Sequence, residues 1–264
     1  MPDPQNLDER LAGGGYAKKQ IYSKDRLIAW SHSSRFRKAR ELVAPYAGKK
    51  LLDHGCGDGT FLAMVSDLFP DAIGADVNRS HVEDSRQRLG DLAQLSFMLE
   101  EELLGGRFDG AFDAITCMEV MEHCPAPKVE SLLDLFRRLL KPGGVLVVSV
   151  PIEIGPSLLG KELGRTIAGW RGIGDYRTKE TYRPGELLKM LFAGPTTTLP
   201  RQTWPMSLGD GVTVETHLHK GFNWKTLAAR VAERFEVARP QFTPMGWSRG
   251  LLSSQAWIVG RAKP

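Results

Sequence analysis

Apolar and polar positions follow two alternating periods through the middle of the chain. Short apolar runs stand at 51–53, 72–76, 95–99, 112–118 and 145–150. The last run is rich in valine, which is typical of a strand buried on both faces. Apolar residues at helical spacing separate the runs. This alternation of strands and helices predicts an α/β fold with a doubly wound, mostly parallel sheet and right-handed crossovers.

The flanks of this region have different patterns. Residues 1–20 show little periodicity and are expected to form a mobile lead-in, whereas 25–47 has the spacing of one or two helices. The stretch 151–220 is rich in glycine and proline and breaks the alternation. A helix near 223–235, followed by strands around Phe242 and at 255–259, is expected to complete a seven-stranded sheet.

We therefore expect four segments in one chain. The order is a basic arm with helices at 1–50, a ligand-binding core at 51–150, an inserted lid at 151–220, and a closing helix and strands at 221–264. The lid follows the fifth strand at the carboxyl edge of the sheet, where doubly wound folds bind their ligands. It should therefore cover the active site and select the substrate.

Composition and charge narrow the class of protein. The chain has 264 residues, of which 42% are hydrophobic, and no apolar run in it approaches the ~20 residues that span a bilayer. The first residues do not resemble a secretory signal, and three cysteines are too few and odd in number for a disulfide framework, so we expect a cytoplasmic protein. The net charge of +4 is concentrated in residues 1–50, with 11 basic against 5 acidic side chains. The slightly acidic remainder does not favour DNA or RNA as a partner.

A glycine-rich turn follows the first predicted strand. The segment LLDHGCGDGTF has the spacing G-x-G-x-G, whereas a dinucleotide-binding turn has G-x-G-x-x-G. Asp53 and Asp58 flank the glycines and would repel a pyrophosphate, so a cationic ligand without phosphate fits better. Asp76 ends the second strand, where a carboxylate can accept hydrogen bonds from both hydroxyls of a ribose.

Four segments carry a resemblance to a known family. LLDHGCGDGTFL, AIGADV, FDAITCMEVMEH and LLKPGGVLVVSVP stand in the order found in class I S-adenosylmethionine-dependent methyltransferases. The chain resembles most the quinone-biosynthesis-type branch (methyltransferase type 11). The resemblance implies a Rossmann-like sheet, an enzyme, and S-adenosyl-L-methionine as cofactor.

The same resemblance implies a set of cofactor-binding residues. The turn would lie along the methionine part of the cofactor, Asp76 and Val77 would lie at the ribose, and Met118 would lie beside the cofactor. The residues implied in the turn are Asp53, Gly55, Cys56, Gly57 and Gly59. Either Glu100 or Glu101 would approach the adenine amine, and either Arg35 or Arg37 the cofactor carboxylate. In the alternative interpretation, Asp53 and Asp76 merely cap the turn and the following helix.

A second cluster of polar side chains follows the fourth strand. Glu119, Glu122 and His123 have the spacing i, i+3, i+4, which places them on one face of a helical turn. With the later His219, this pattern partly resembles the magnesium site of small-RNA 3′-end 2′-O-methyltransferases. The resemblance implies these four residues as ligands of Mg2+ or another divalent metal. In the alternative, Glu122 and His123 form a hydrogen-bonded pair without a metal.

The RNA enzymes differ at two positions of this pattern. They carry a second histidine where Cys124 stands here, and Gly221 is an extra residue in the later segment. His123 or His219 could also act as a general base without metal, with His217 as a third candidate. Either arrangement favours O-methylation of a hydroxyl on a small molecule, a glycan unit or a quinone-like ring. The alternatives are ribose 2′-O-methylation of RNA, N- or C-methylation, and a non-catalytic cofactor-binding protein.

The predicted lid contains an amphipathic segment. One helical stripe holds Leu159, Leu163, Ile167 and Trp170, and Lys161, Arg165 and Arg171 lie beside it. The stripe could make peripheral membrane contact and admit a lipid-linked acceptor, or it could pack on the core. Four aromatic residues could stack on an acceptor ring or form the small core of the lid: Tyr176, Tyr182, Trp204 and Trp224.

Overall fold

The structure is a computed structural model that describes residues 4–22, 26–170, 181–209 and 211–263. Its main sheet has the strand order β3-β2-β1-β4-β5-β10-β8, with β9 paired to β10. The strands are β1 (Lys50–His54), β2 (Asp71–Asp76), β3 (Leu95–Leu99), β4 (Phe112–Met118), β5 (Leu140–Pro151), β6 (Thr203–Gly209), β7 (Val212–His217), β8 (Phe235–Val237), β9 (Gln241–Thr243) and β10 (Gln255–Ala262).

Helices cover the sheet and connect its strands. They are α1 (Pro4–Gly13), α2 (Gly15–Gln20), α3 (Arg26–Val43), α4 (Thr60–Val65), α5 (Arg79–Leu89), α6 (Ala126–Leu139), α7 (Ser157–Trp170), α8 (Pro184–Leu191) and α9 (Trp224–Arg234). Two apolar clusters lie on opposite faces of the sheet. One packs α6 and α9 against it, and the other packs α3, α4 and α5.

The predicted doubly wound, mostly parallel sheet is confirmed. Strands β1 to β5 are parallel, and β10 runs antiparallel to β5 and β8. The chain order of the strands reverses between β1 and β4, so a crevice opens at the carboxyl ends of these two strands. The predicted strand around Phe242 is β9, and the short strand β8, which directly follows α9, is the eighth member of the sheet and was not predicted.

The expectation of a mobile lead-in at residues 1–20 is wrong for its described part, which forms α1 and α2. These helices are held by contacts with distant residues. The Asp58 carboxylate accepts hydrogen bonds from the backbone amides of Tyr16 (2.8 Å) and Ala17 (3.3 Å) in the first turn of α2. The same carboxylate accepts from the hydroxyl of Thr60 at 2.6 Å, where α4 begins. One side chain therefore satisfies the first turns of both helices.

The inserted segment contains α7, α8 and the antiparallel strand pair β6–β7. Leu158 and Met190 are buried between the two helices, but the predicted stripe does not pack on the core. Leu159, Leu163 and Trp170 are 48%, 64% and 84% exposed. Periodicity identified the helix but not its buried side, because Leu158 beside the stripe makes the contact. The remaining predicted members, Arg165, Ile167, Arg171 and Tyr176, lie outside the described side chains.

The other lid aromatics differ in their surroundings. Trp224 packs edge-on against Phe242, with ring centroids 5.5 Å apart. The Tyr182 hydroxyl accepts a hydrogen bond from the Gly221 amide at 2.9 Å, and Trp204 is largely exposed. Of the helices in the described ranges, none combines the length and the apolar character needed to cross a membrane.

The contact between the arm and the glycine turn generates a testable prediction. A Cβ atom at Gly14 would lie 2.5 Å from Asp58 Oδ2, whereas one at Gly15 would meet no atom within 4 Å. We expect Gly14→Ala to displace α2 from its cap and to lower the free energy of unfolding by about 1–2 kcal/mol. Thermal unfolding and limited proteolysis of the arm measure both effects. Gly15→Ala is the matched control, and equal cleavage of the two variants would contradict the role of the Asp58 contact.

Candidate active site

A cleft of about 610 Å³ opens at the carboxyl edge of the sheet, where β1 and β4 diverge. Its floor consists of the glycine turn after β1 and the end of β4. The segment containing α2 and α3 closes one side with Tyr16, Arg35 and Phe36. The β6–β7 pair supplies an apolar wall of Met206, Leu208 and Val214. The predicted core, arm and lid therefore meet around one cavity.

The glycine turn has the backbone that its sequence requires. Gly55, Gly57 and Gly59 have φ angles of 76°, 54° and 73°, in the left-handed region that favours glycine. The amides of Gly55 and Cys56 both donate to the carbonyl of Ala75 in β2, at 2.7 and 3.1 Å. The turn is thus fixed against the neighbouring strand. Gly55, Cys56 and Gly57 line the cleft, whereas Gly59 is outside its lining and directly precedes α4.

Asp53 lies under this turn and is almost fully buried. Its Oδ1 accepts a hydrogen bond of 2.6 Å from the Thr116 hydroxyl. Burial and the nearby charge of Asp76 raise the pKa of Asp53 to about 7, although the hydrogen bond from Thr116 lowers it. The carboxylate is therefore poised to ionise when a cation approaches.

Asp76 is held at the end of β2 by backbone amides. Gly57 N donates to Oδ2 at 2.9 Å and Asn78 N donates to Oδ1 at 2.8 Å. Burial alone would raise the pKa of Asp76, but the hydrogen bond from His81 and these amides lower it. Asp76 is therefore ionised at neutral pH, and it lines the cleft beside Val77.

The structure distinguishes between the two paired alternatives. Arg35 is buried and lines the cleft, whereas Arg37 is exposed on α3 outside it. Glu100 lines the cleft and Glu101 is exposed. The geometry thus brings Arg35 and Glu100 to the cleft, together with Met118 at the end of β4, and leaves Arg37 and Glu101 out.

Glu100 already has cationic and polar partners. Lys128 Nζ contacts its Oε1, and His54 Nε2 lies 3.2 Å from its Oε2. Burial would raise the pKa of Glu100, but His54 and Lys128 together lower it to about 2. Glu100 is thus an ionised, internally paired carboxylate.

Glu122, His123 and His219 form a compact cluster, of which His123 lines the cleft. Their ligand atoms lie within 4.8 Å of one another. His123 Nδ1 donates to the backbone carbonyl of His217 at 2.9 Å, and its Nε2 lies 3.3 Å from His219 Nε2. Neither carboxylate oxygen of the fully buried Glu122 has a hydrogen-bond partner in the described part of the chain. Burial, and then the charge of Glu119, raises the pKa of Glu122 well above its usual range.

Glu119, the fourth residue predicted for this cluster, is placed differently. Its Oε2 lies 3.4 Å from Arg35 Nη1, and its Oε1 accepts from the Ser149 hydroxyl at 3.1 Å. Glu119 has a φ of 55° and precedes the short helical turn Met121–His123. It therefore does not share one helical face with Glu122 and His123.

Several residues of the site were not predicted from the sequence. Thr116 and Lys128 act on acidic side chains from other elements, and Arg201 Nη2 donates to the carbonyls of Glu122 and Leu218. The apolar wall of β6–β7 was also missed. Sequence spacing carries no signal for these contacts, because each joins elements that are distant along the chain.

Fold and site together define a class of protein: an α/β enzyme of the class I methyltransferase type, with a glycine turn, a strand-end acid and a lid around one cleft. The chain belongs to the family described as methyltransferase domain, which matches residues 31–193. The predicted membership of the S-adenosylmethionine-dependent methyltransferases is confirmed.

Relatives and solved structures agree with this family. The chain is 30% identical over 146 residues to the ubiquinone biosynthesis O-methyltransferase of Idiomarina loihiensis, covering 54% of this chain and 59% of that protein. The chain thus spans about three fifths of the length of this curated relative. The N-methyltransferase NodS of Bradyrhizobium japonicum, solved with S-adenosyl-l-homocysteine, matches with a TM-score of 0.54 at 13% identity, covering 98% of both chains. The PH0226 protein of Pyrococcus horikoshii matches with a TM-score of 0.56 at 14% identity, covering 94% of this chain and 98% of that one.

The raised pKa of Asp53 predicts a pH-dependent cofactor affinity. A cationic ammonium group beside the turn favours ionised Asp53, so binding of S-adenosylhomocysteine should tighten about tenfold between about pH 6 and pH 8, with release of a proton. Calorimetry in buffers of different ionisation enthalpy measures both quantities. Asp53→Asn keeps an acceptor for Thr116 but cannot ionise, so its pH dependence should be flat. If this variant kept the pH dependence of the wild type, ionisation of Asp53 would not be the cause of that dependence.

Proposed function

We propose that this chain is an S-adenosylmethionine-dependent O-methyltransferase acting on a hydroxyl group of a small molecule. The observation that carries the proposal is the cluster of Glu122, His123 and His219 beside the cleft that contains the glycine turn. This arrangement places proton-accepting and cation-binding atoms next to a binding site suited to a methyl donor. It supports oxygen as the accepting atom, because a hydroxyl must lose its proton to become a good nucleophile.

The cofactor would lie along the turn with its charges matched by the chain. Asp76 would accept hydrogen bonds from the ribose hydroxyls, Asp53 would face the ammonium group, and Arg35 would face the carboxylate. Tyr16 and Arg35 close this side of the cleft, which would keep water away from the sulfonium centre. Met118, at the end of β4, would contact the cofactor beside the transferred methyl group.

The reaction in this cleft is an in-line displacement. The acceptor oxygen attacks the methyl carbon, the bond between that carbon and the sulfonium sulfur breaks, and S-adenosylhomocysteine leaves. Without a bound cation, the hydroxyl proton passes to His123 Nε2; where that atom would bind a cation, the hydroxyl would instead lose its proton to solvent, because the cation lowers its pKa. Because His123 Nδ1–H donates to the His217 carbonyl, the neutral ring has its lone pair on Nε2, the form that a general base requires. His219 is neutral at pH 7, because burial and the charge of His123 lower its pKa to about 4.

The cluster also fits a divalent cation. Both buried oxygens of Glu122 lack a hydrogen-bond partner in the described part of the chain, and one ligand atom from each of the three residues lies within 4.8 Å of the others. The hydrogen bond of His123 to a backbone carbonyl is the arrangement that orients metal-binding histidines. We propose that Glu122, His123 and His219 hold Mg2+ or a similar ion. When bound, such an ion lowers the pKa of a hydroxyl and fixes its position.

The acceptor that fits best is an aromatic hydroxyl with apolar substituents, such as a quinone-like ring. Met206, Leu208 and Val214 line the cleft and give it an apolar wall. The Arg and Lys side chains in the described lining, Arg35 and Lys128, each lie against a carboxylate, which disfavours an RNA backbone. The O-methyltransferase names of the relatives support the same substrate class.

The cofactor assignment is tested at Asp76. We expect Asp76→Ala to weaken S-adenosylhomocysteine binding roughly 10- to 100-fold, the cost of lost hydrogen bonds to an ionised group, and to abolish methylation of a catechol panel. Asp71→Ala is the matched control, because Asp71 lies at the opposite end of β2 and is exposed. Calorimetry and transfer of a labelled methyl group give the readouts. Wild-type-like binding by Asp76→Ala, or methylation of amines but not of hydroxyls, would refute the proposal.

The cation site makes a separate prediction about stability. The raised pKa of the buried Glu122 means that its side chain is neutral when no cation is bound. Glutamine is neutral and has a similar shape, so metal-free Glu122→Gln should unfold at the same temperature as the wild type or at a higher one. Mn2+ should raise the unfolding temperature of the wild type but not of this variant. Glu83→Gln, exposed on α5, should respond like the wild type. If activity is insensitive to a chelator, and the wild type and Glu122→Gln respond equally to Mn2+, the proposed cation site is refuted. His123 would then remain as the proposed general base.

A further inference from the structure

The buried Arg35 and the half-buried Glu119 form a pair that the proposed chemistry leaves unexplained. The guanidinium stacks near Tyr16 and Phe36, with centroid distances of 5.4 and 5.3 Å. Its Nη1 lies 3.4 Å from Glu119 Oε2, longer than a direct hydrogen bond, and its buried Nε has no partner within the described ranges. Arg35 is thus preorganised by packing but incompletely paired, as expected for a cation that awaits a stronger anion.

Glu119 connects this arginine to the Glu122–His123–His219 cluster. It directly follows β4 and precedes the turn that carries Glu122 and His123. Glu119 and His123 line the same cleft. The left-handed backbone of Glu119 is uncommon for a residue other than glycine. The carboxylate is therefore shared electrostatically between the cofactor end and the cluster.

We propose that Glu119 is an internal counter-ion that the cofactor carboxylate displaces from Arg35, and that this displacement couples cofactor binding to cation binding at the cluster. The inference rests on the proposed function, because it takes Arg35 as the carboxylate site and the cluster as the cation site. It adds that Glu119 is a positioning residue, which makes the two sites interdependent.

The coupling follows from charge. Paired with Arg35, Glu119 contributes little net negative charge to the cluster. Once the cofactor carboxylate neutralises Arg35, the negative charge of Glu119 is uncompensated, so a divalent cation nearby binds more tightly. Coupling between two ligands is reciprocal, so the cation must tighten cofactor binding by the same factor. Sites that hold both the cofactor and the cation are therefore favoured over sites that hold only one of them.

The first half of the inference is tested with two ligands that differ in the amino-acid moiety. Glu119→Gln removes the competitor for Arg35, so it should tighten S-adenosylhomocysteine binding severalfold in metal-free buffer. Binding of 5′-methylthioadenosine, which lacks the carboxylate and the ammonium, should be unchanged. Glu83→Gln is the control for the removal of a carboxylate elsewhere. Weaker or unchanged S-adenosylhomocysteine binding by Glu119→Gln would overturn the competition.

The second half is tested by titrating the protein with Mn2+ alone and with saturating S-adenosylhomocysteine or 5′-methylthioadenosine. We expect S-adenosylhomocysteine to tighten Mn2+ binding on the order of tenfold, the methylthio compound to have no effect, and Glu119→Gln to lose the difference. Equal Mn2+ affinity with and without S-adenosylhomocysteine would overturn the coupling alone. Absence of Mn2+ binding under every condition would overturn both the coupling and the proposed cation site, whereas absence of S-adenosylhomocysteine binding would overturn the proposed function itself.

Discussion

The compensation of buried carboxylates at one edge of the sheet is the constraint on which this site depends. Acidic side chains lie near or just after the carboxyl ends of β1 to β4: Asp53, Asp76, Glu100 and Glu122 are buried, and Glu119 is half-buried. A buried charge is costly unless it is paired and hydrogen-bonded. Asp76 is satisfied by backbone amides, Glu100 by Lys128, and Glu119 in part by Arg35. Among the described residues, Glu122 accepts no hydrogen bond and has only His123 Nε2 at 3.8 Å from its Oε1, and the side-chain donor to Asp53 is the Thr116 hydroxyl.

The two poorly compensated acids divide the cleft into two functional ends. Both Asp53 and Glu122 have a raised pKa because burial favours the neutral form. Each side chain is therefore fully ionised only when a positively charged group binds next to it. At Asp53 that charge would be the ammonium of the cofactor, and at Glu122 a divalent cation or a protonated histidine. A site that ionises with its ligands avoids the electrostatic repulsion that further ionised carboxylates would otherwise create at this edge of the sheet.

Local sequence predicted the elements that local contacts determine. Strands β3 and β4 have the predicted bounds, because short apolar runs between turns leave little choice of register. Helix α2 was missed because its first turn is stabilised by Asp58, more than forty residues away. The predicted common face of Glu119, Glu122 and His123 fails because the chain adopts a left-handed backbone at Glu119 before the helical turn begins. Spacing rules assume a continuous helix and cannot anticipate this interruption.

The separation of the two ends also follows from chain topology. The cofactor end is built from the turn after β1, the end of β2 and helices α2 and α3, which Asp58 ties together through the first turns of α2 and α4. The proposed acceptor wall belongs to the β6–β7 pair, which forms its own two-stranded sheet and shares no strand with the main one. Changes in β6–β7 can therefore reshape the acceptor wall without altering the register of β1 and β2. In the proposed coupling, Glu119 lies between these ends, so that ligand binding at one end changes the affinity for a ligand at the other.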